Sequence, residues 1–98
     1  MLTLYQAEWC PYSSRVRMRL TELALPFVAR QVEPEPDERE EMRRSTGNDS
    51  IPVLVTDAGE AIQGADAIVA WLNEHYDDPP TARRQRAQAR AHGREPAS

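Results

Sequence analysis

Short segments with strand character recur along the first 76 residues, and their placement constrains the fold more than any other feature of the chain. "LTLYQ" (2–6) and "FVARQV" (27–32) are rich in the β-branched and aromatic residues typical of strands. "IPVLVTD" (51–57) predicts a third strand, and the turn "DAGE" leads into "AIQ" (61–63) as its hairpin partner. The sequence therefore predicts four short strands.

Three segments with helical patterns separate or follow these strands. Residues 11–24 place Val16, Leu20 and Leu23 at helical spacing, and residues 64–76 form the last helix. Between them, a helix is predicted from Pro36 to a stop signal at Gly47. The order β-α-β-α-β-β-α predicts an α/β fold with a four-stranded mixed sheet flanked by helices. Strands separated by helices imply parallel crossovers, and the final pair implies an antiparallel hairpin.

Length and composition restrict the function classes. Ninety-eight residues allow one small domain, and the formal charge of −4 argues against nucleic acid as the main partner. No apolar run is long enough for a membrane span. A single cysteine rules out an internal disulfide framework, which favours a cytoplasmic location, and with two histidines it cannot build a closed zinc site. We expect a monomer with no metal.

The composition changes after "DDPP". The segment "TARRQRAQARAHGREPAS" contains arginine, alanine and glutamine but no large apolar residue. Without an apolar face it has no means of docking through hydrophobic contact. We therefore predict a folded domain over residues 1–76 and a polar, flexible C-terminal tail over residues 77–98.

The only cysteine, Cys10, stands at the predicted start of the first helix, in "EWCPYSSRVRMRL" (8–20). A thiol is a nucleophile only as its thiolate, and the free amides of a first helical turn stabilise that negative charge. Pro11 favours the first turn without removing a needed donor, so the amides of Tyr12 and Ser13 can face the sulfur, and the Ser13 hydroxyl can add a hydrogen bond. The pattern indicates a reactive thiol, whereas lone cysteines are commonly buried and inert.

Three motifs, "CPYS", "SIPVLVTD" and "GADAI", occur in the order and spacing of one family. Over residues 1–76 the chain resembles the glutaredoxin branch of the thioredoxin-fold superfamily, as a monothiol CPYS variant. The resemblance implies a thioredoxin-like fold and thiol–disulfide oxidoreductase activity on glutathione mixed disulfides. It implies glutathione as co-substrate, no tightly bound cofactor, and glutathionylated proteins or small disulfides as partners.

The resemblance also implies roles for individual residues. Cys10 would form the mixed disulfide with glutathione, and Ser13 replaces the second, resolving cysteine, so only a monothiol cycle is possible. Pro52 corresponds to the family's cis-proline, and the backbone of Ile51 would pair with glutathione as an added strand. Gly64 opens the loop in which the amides of Ala65 and Asp66 would bind the γ-glutamyl carboxylate, with the Asp66 side chain placed for its ammonium group. The predicted catalytic residues are Cys10, Pro11, Tyr12 and Ser13, and the predicted glutathione-binding residues are Tyr12, Ile51, Pro52, Gly64, Ala65 and Asp66.

The sequence departs from the family pattern at Ala7, where a lysine often stands three residues before the cysteine. Arg15 is a partial substitute for that cation, and Arg43 or Arg44 for the cation that binds the glycyl carboxylate, although each also suits a solvated helix face. A slow thiol would leave a non-catalytic glutathione-binding module. Two further alternatives are an iron–sulfur cluster carrier, which Pro11 disfavours, and a thiol other than glutathione.

The chain is also similar to the N-terminal domain of glutathione transferases, in "SSRVRMRLTELALPF" and "ADAIVAWLNEHY". Those enzymes use a helical second domain to hold the electrophile, and the polar tail is too short to supply one. They also usually carry Glu-Ser where this chain has Gly64-Ala65. We therefore expect conjugation not to be the main activity.

Overall fold

A computed structural model describes residues 1–93. Within them the chain forms four strands and four α-helices, in the predicted order as far as residue 75. A 3₁₀ turn at Pro36–Glu38 precedes the second helix. The elements are β1 (Leu2–Gln6), α1 (Pro11–Glu22), β2 (Phe27–Gln31), α2 (Glu40–Thr46), β3 (Val53–Val55), β4 (Ala61–Gln63), α3 (Ala65–His75) and α4 (Ala82–Ala91).

The four strands form one mixed sheet in the order β2-β1-β3-β4. β1 and β2 are parallel, and β3 and β4 form the predicted antiparallel hairpin. The expected parallel crossover from β2 to β3 is wrong, because β3 runs antiparallel to β1, with Tyr5 opposite Val53. The seven residues of α2 span only about 10 Å, and the chain re-enters the sheet at the end where β2 leaves it.

This strand direction brings distant parts of the chain together. The carboxyl ends of β1 and β4 and the amino end of β3 lie at the same end of the sheet. Cys10 follows β1, Pro52 precedes β3, and Gly64 follows β4. The antiparallel course of β3 therefore gathers the three predicted site segments.

Apolar side chains cover both faces of the sheet. On one face α1 and α3 pack in a cluster that includes Val16, Leu20, Ile68 and Leu72, each fully buried. On the other face Met42 from α2 packs against Tyr5 and Val53. The predicted helix spacing is thus confirmed, since burial of these side chains is the main force that holds the helices on the sheet.

The second helix does not run unbroken from Pro36 as the sequence predicts. The chain leaves helical geometry at Arg39, which has φ −88° and ψ 55° and separates the 3₁₀ turn from α2. The Arg39 side chain is only 3% exposed and donates hydrogen bonds to the carbonyl oxygens of Glu33, Pro34 and Asp49. These three bonds hold Arg39 in place at the break.

A flexible tail was expected after residue 76, but residues 82–91 form the helix α4, which packs against α1. Its one buried residue is the small Ala82. Charged groups also make contacts, because Arg86 lies 3.3 Å from Glu22 of α1 and 3.6 Å from Asp78. Hydrophobicity alone did not reveal this electrostatic docking.

Residues 94–98 of the predicted tail lie outside the described residues, and the 1–76 domain boundary remains a prediction. No helix within residues 1–93 is both long enough and apolar enough to cross a bilayer.

Candidate functional site

Cys10 is the N-cap of α1, and its side chain performs the capping. The residue is extended, with φ −85° and ψ 118°, and its Sγ accepts a hydrogen bond from the backbone N–H of Ser13 at 3.4 Å. Pro11 follows as the first helical residue, where its missing N–H costs nothing. The predicted amide–sulfur contact is therefore present, and it places an N–H donor where a thiolate would carry its charge.

The Ser13 hydroxyl does not make the predicted contact with the sulfur. Its side chain is fully buried, and its Oγ accepts a hydrogen bond from the backbone N–H of Ala7 at 3.4 Å. Cys10 N–H in turn donates to the carbonyl oxygen of Ala7 at 3.2 Å. The hydroxyl therefore fixes the loop that precedes Cys10, and Cys10 itself is only 5% exposed.

An open groove of about 490 Å³ lies beside this helix start, at the end of the sheet where the three segments meet. All six residues predicted to bind glutathione line it. Three further residues, Arg15, Gln63 and Ala67, line it as well. Its lining is Tyr12, Arg15, Ile51, Pro52, Gln63, Gly64, Ala65, Asp66 and Ala67. Pro11 and Ser13 stand at the start of α1, on either side of Tyr12.

Pro52 and Gly64 join two sides of the groove. The Ile51–Pro52 peptide bond is cis, as the resemblance to the glutaredoxins implies, and Pro52 is buried. The carbonyl oxygen of Pro52 accepts a hydrogen bond from the N–H of Gly64 at 2.9 Å. This bond ties the start of β3 to the start of α3, so both groove walls belong to one rigid backbone unit.

Gly64 stands immediately before α3 with φ 98° and ψ 143°. Residues with a side chain rarely adopt this conformation, so glycine is the residue that fits it. The glutamate usual in transferases at this position would be strained in this backbone. Ala65 and Asp66 form the first turn of α3, where free amides and the helix dipole favour an anionic group.

Two opposite charges meet across the groove. Arg15 of α1 donates a hydrogen bond from Nη1 to Oδ1 of Asp66 at the start of α3. Both side chains are largely open to water, with 52% of Arg15 and 92% of Asp66 exposed. A pair this exposed contributes little to stability and exchanges easily for other partners. The groove thus offers both a cation and an anion to a zwitterionic ligand.

Neither arginine proposed for the glycyl carboxylate lines the groove. Arg43 binds the carbonyl oxygens of Pro36 and Asp37 and pairs with Asp49 at 3.1 Å, and Arg44 is exposed on α2. No role was predicted for Gln63 or Ala67 from the sequence. Gln63 directly precedes the "GADAI" segment and Ala67 belongs to it, and these positions were the signal that would have included them.

No group of three histidine, cysteine, aspartate or glutamate side chains within residues 1–93 is arranged to hold a metal ion. Instead, one thiol lies at a helix start beside a groove that is lined by a positive charge, on Arg15, and a negative charge, on Asp66.

Comparison with known proteins agrees with this geometry. The model of the glutathione S-transferase N-terminal domain family matches residues 4–80. No match was found among the curated proteins.

Several solved structures share the fold. A glutathione S-transferase from Methylobacterium radiotolerans, in complex with glutathione sulfonate, is 32% identical with a TM-score of 0.70, over 81% of this chain and 37% of that one. Glutathione transferase E6 from Drosophila melanogaster is 27% identical with a TM-score of 0.70, over 81% of this chain and 36% of that one. Glutaredoxin 2 from Salmonella typhimurium, at 16% identity with a TM-score of 0.66 over 96% of this chain and 45% of that one, shows the shared fold alone.

The chain spans less than half the length of these three proteins. The family match covers most of the chain, and the fold agrees with it. The protein belongs to the glutathione S-transferase N-terminal domain family, with a thioredoxin-like fold.

Proposed function

We propose that the protein is a monothiol, glutaredoxin-like oxidoreductase that acts on glutathione mixed disulfides through Cys10. The Cys10 thiolate attacks the glutathione sulfur of a mixed disulfide, forms a Cys10–glutathione disulfide and releases the substrate as a thiolate, which takes up a proton. A second glutathione, as its thiolate, then attacks the bound glutathione sulfur. That step releases oxidised glutathione and returns Cys10 as a thiolate, so each cycle consumes one free glutathione, whose sulfur is oxidised as the sulfur of the substrate is reduced.

The observation that carries the proposal is the meeting of the Cys10 helix start, Pro52 and the first turn of α3 around one groove. A thiolate at Cys10 gains the Ser13 N–H as a donor. Because Cys10 is the only cysteine, no second thiol of the chain competes for the mixed disulfide. These features support a monothiol cycle.

The groove suits the ends of glutathione as follows. The first-turn amides of α3 and the guanidinium of Arg15 would bind the γ-glutamyl carboxylate, and Asp66 would receive its ammonium group. The backbone at Ile51 would pair with the middle of the tripeptide, and Tyr12 would pack against it. In the relatives, glutathione sulfonate is bound by the Methylobacterium transferase and glutathione by the Salmonella glutaredoxin.

The proposed partners are glutathionylated proteins or small disulfides. We propose that the protein encounters them as a monomer in a reducing cytoplasm. The absence of lysine from the chain leaves arginine as the only permanent side-chain cation near the site. If the cell uses a different thiol, the same cycle runs with that thiol, provided that it fills the groove.

The test is steady-state reduction of a small glutathione mixed disulfide, with glutathione supplied and oxidised glutathione measured. We expect turnover in the wild type and none in Cys10→Ser, because serine cannot form the mixed disulfide. Ser45→Ala, a change on α2 away from the groove, is the matched control and should retain full activity. Equal rates in the wild type and Cys10→Ser would reject the oxidoreductase.

A non-catalytic glutathione-binding module is the second candidate, favoured by one observation. Cys10 is 5% exposed and is not among the groove-lining residues, so access to its sulfur is restricted. Calorimetric binding of glutathione by Cys10→Ser separates the two candidates. Binding without wild-type turnover would support the module, and binding with turnover would support the enzyme.

A further inference from the structure

Arg17 belongs to α1, and its side chain contacts the loop from Ala7 to Cys10. It lies two turns after Cys10 on α1, and helical side chains point back toward the N-terminus. Its Nη1 donates hydrogen bonds to the carbonyl oxygen of Ala7, at 3.4 Å, and to Oε1 of Gln6. Only 22% of the side chain is exposed. The guanidinium is therefore held, mostly out of water, beside the segment that leads into Cys10.

The contacts of Arg17 connect it to the thiol residue through one carbonyl group. The Ala7 carbonyl oxygen accepts both from Arg17 and from the N–H of Cys10. Gln6, which is fully buried, anchors the guanidinium and also donates to Gln31 at 3.2 Å. The position of the Ala7–Cys10 loop thus depends on the same guanidinium that brings a positive charge to it.

One acid faces this guanidinium. Glu8 lies 3.4 Å from Nη2 of Arg17 and is 75% exposed, so water screens it more than it screens the arginine. A positive charge held mostly out of water, on the loop that leads into a thiol, stabilises the negative charge of the thiolate and attracts anionic reagents.

We propose that Arg17 is a positioning residue that holds the Ala7–Cys10 loop and supplies the positive potential at the Cys10 thiolate. The inference deepens the proposed function and rests on it only for its relevance to turnover. Arg17 touches no groove-lining residue through the contacts described above, so it acts through the loop and through its field rather than by binding ligand.

The experiment compares two alkylating reagents of different charge. Because Cys10 is the only thiol, the second-order rates with anionic iodoacetate and neutral iodoacetamide report on this one site. The ratio of the two rates measures the local potential and cancels changes in the exposure of the sulfur. We expect Arg17→Gln to lower the ratio about two- to fivefold at low ionic strength, with a smaller effect at high salt. Arg44→Gln, an exposed arginine on α2, is the matched control and should leave the ratio unchanged. An unchanged ratio in folded Arg17→Gln would overturn the proposal.

Arg17→Lys supplies a second test that keeps the charge and the fold. The wild-type chain contains no lysine, so this variant has a single lysine, whose ammonium group loses its proton near pH 10.4, whereas arginine stays charged. We expect the alkylation ratio of Arg17→Lys to equal that of the wild type at pH 8 and to fall below it between about pH 9.5 and 11.5. Identical profiles over that range would reject a role for the charge. Neither measurement uses glutathione. Their outcome therefore tests the role of Arg17 independently of whether the protein turns over mixed disulfides.

Discussion

At the scale of single residues, a buried arginine outside the groove shapes the approach to Pro52. Arg39 donates to the carbonyl oxygens of Glu33 at 2.8 Å and Asp49 at 2.8 Å, which are far apart in sequence. A third bond, to Pro34 at 3.0 Å, completes the set. The guanidinium thus connects the chain after β2 to the loop that enters β3, and so helps to position one wall of the groove.

Replacing Arg39 with glutamine is therefore expected to destabilise the protein. The change leaves three partly buried carbonyl groups without their donor and removes a buried guanidinium, and we expect a loss of about 1–3 kcal/mol in the free energy of unfolding. Urea unfolding followed by circular dichroism measures it. Arg44→Gln on the same helix should change the free energy of unfolding by less than about 0.5 kcal/mol. Equal effects of the two variants would show that the carbonyl contacts of Arg39 are unimportant.

Asp66 should act on ligand affinity rather than on stability. Its carboxylate is 92% exposed and, within residues 1–93, pairs only with the half-exposed Arg15. We expect Asp66→Asn to raise the KM for glutathione about tenfold, the effect of losing one charge-assisted contact, while the unfolding midpoint stays unchanged. Steady-state kinetics and thermal unfolding measure the two quantities. Glu74→Gln, an exposed acid further along α3, is the control, and an unaltered KM in Asp66→Asn would remove Asp66 from the binding site.

At the scale of elements, α4 shows how a helix without large apolar residues docks. Arg19 lies 2.8 Å from Glu22 and 2.6 Å from Asp78, and Arg86 of α4 approaches the same two carboxylates. The Arg19 and Glu22 side chains are only 17% and 13% exposed, so water screens this part of the network weakly. Charge complementarity thus takes the place of an apolar face on α4.

The docking should depend on pH through Asp78. The hydrogen bond from Arg19 lowers the pKa of Asp78 below its usual 3.8, with partial burial opposing the shift. A carboxyl whose pKa is lower in the folded state adds stability above its unfolded pKa, and that stability disappears as the pH falls through the folded value. We therefore expect the wild type to be more stable than Asp78→Asn at neutral pH, and the difference to shrink below about pH 4.

Thermal unfolding from pH 2 to pH 7 measures this difference. Asp77→Asn, one residue earlier and exposed, is the matched control and should follow the wild type at every pH. A constant difference between the wild type and Asp78→Asn across the range would contradict the ion-pair explanation. Added salt should reduce the difference at neutral pH, because salt screens exposed charges.

At the scale of the whole molecule, the buried apolar side chains are concentrated in the first 72 residues. The two clusters on either face of the sheet end with Leu72, and α4 adds only Ala82 to the interior. The hydrophobic driving force for folding therefore resides in the segment that the family model matches, residues 4–80.

A chain that ends at residue 80 should consequently fold. It retains both apolar clusters and Asp78 but loses α4 with Arg86. We expect cooperative thermal unfolding with a midpoint about 4–8 °C below that of the full chain, the shift that corresponds to roughly 1 kcal/mol. Loss of the cooperative transition would show that α4 is required for folding and would reject the predicted domain boundary.

Much of the fold was predictable because its signals are local. The spacing of Val16 and Leu20 specified α1, and the turn after β3 specified the hairpin. The contact between the Ser13 amide and the Cys10 sulfur was predictable for the same reason, since Cys10 and Ser13 belong to one helical turn. The segment at the start of α3 was predicted from its motif to bind the ligand, and its residues Gly64, Ala65 and Asp66 line the groove.

Other features depended on contacts between distant residues. The break at Arg39, the pairing of Arg15 with Asp66 and the anchoring of α4 by Glu22 each join residues that no local pattern relates. The Ser13 hydroxyl was assigned to the wrong partner because its donor, the Ala7 amide, is brought to it by the course of the preceding loop.

By itself the sequence determined which segments of the first 76 residues become helices and strands, and that the only thiol begins a helix, because hydrophobic periodicity and capping act over a few residues. Only the tertiary structure decided that β3 runs antiparallel to β1, and so that Cys10, Pro52 and Gly64 meet at one end of the sheet. It also decided which opposite charges pair. Strand direction and charge pairing depend on how the whole chain packs, since their energies arise between groups that are close in space and remote in sequence.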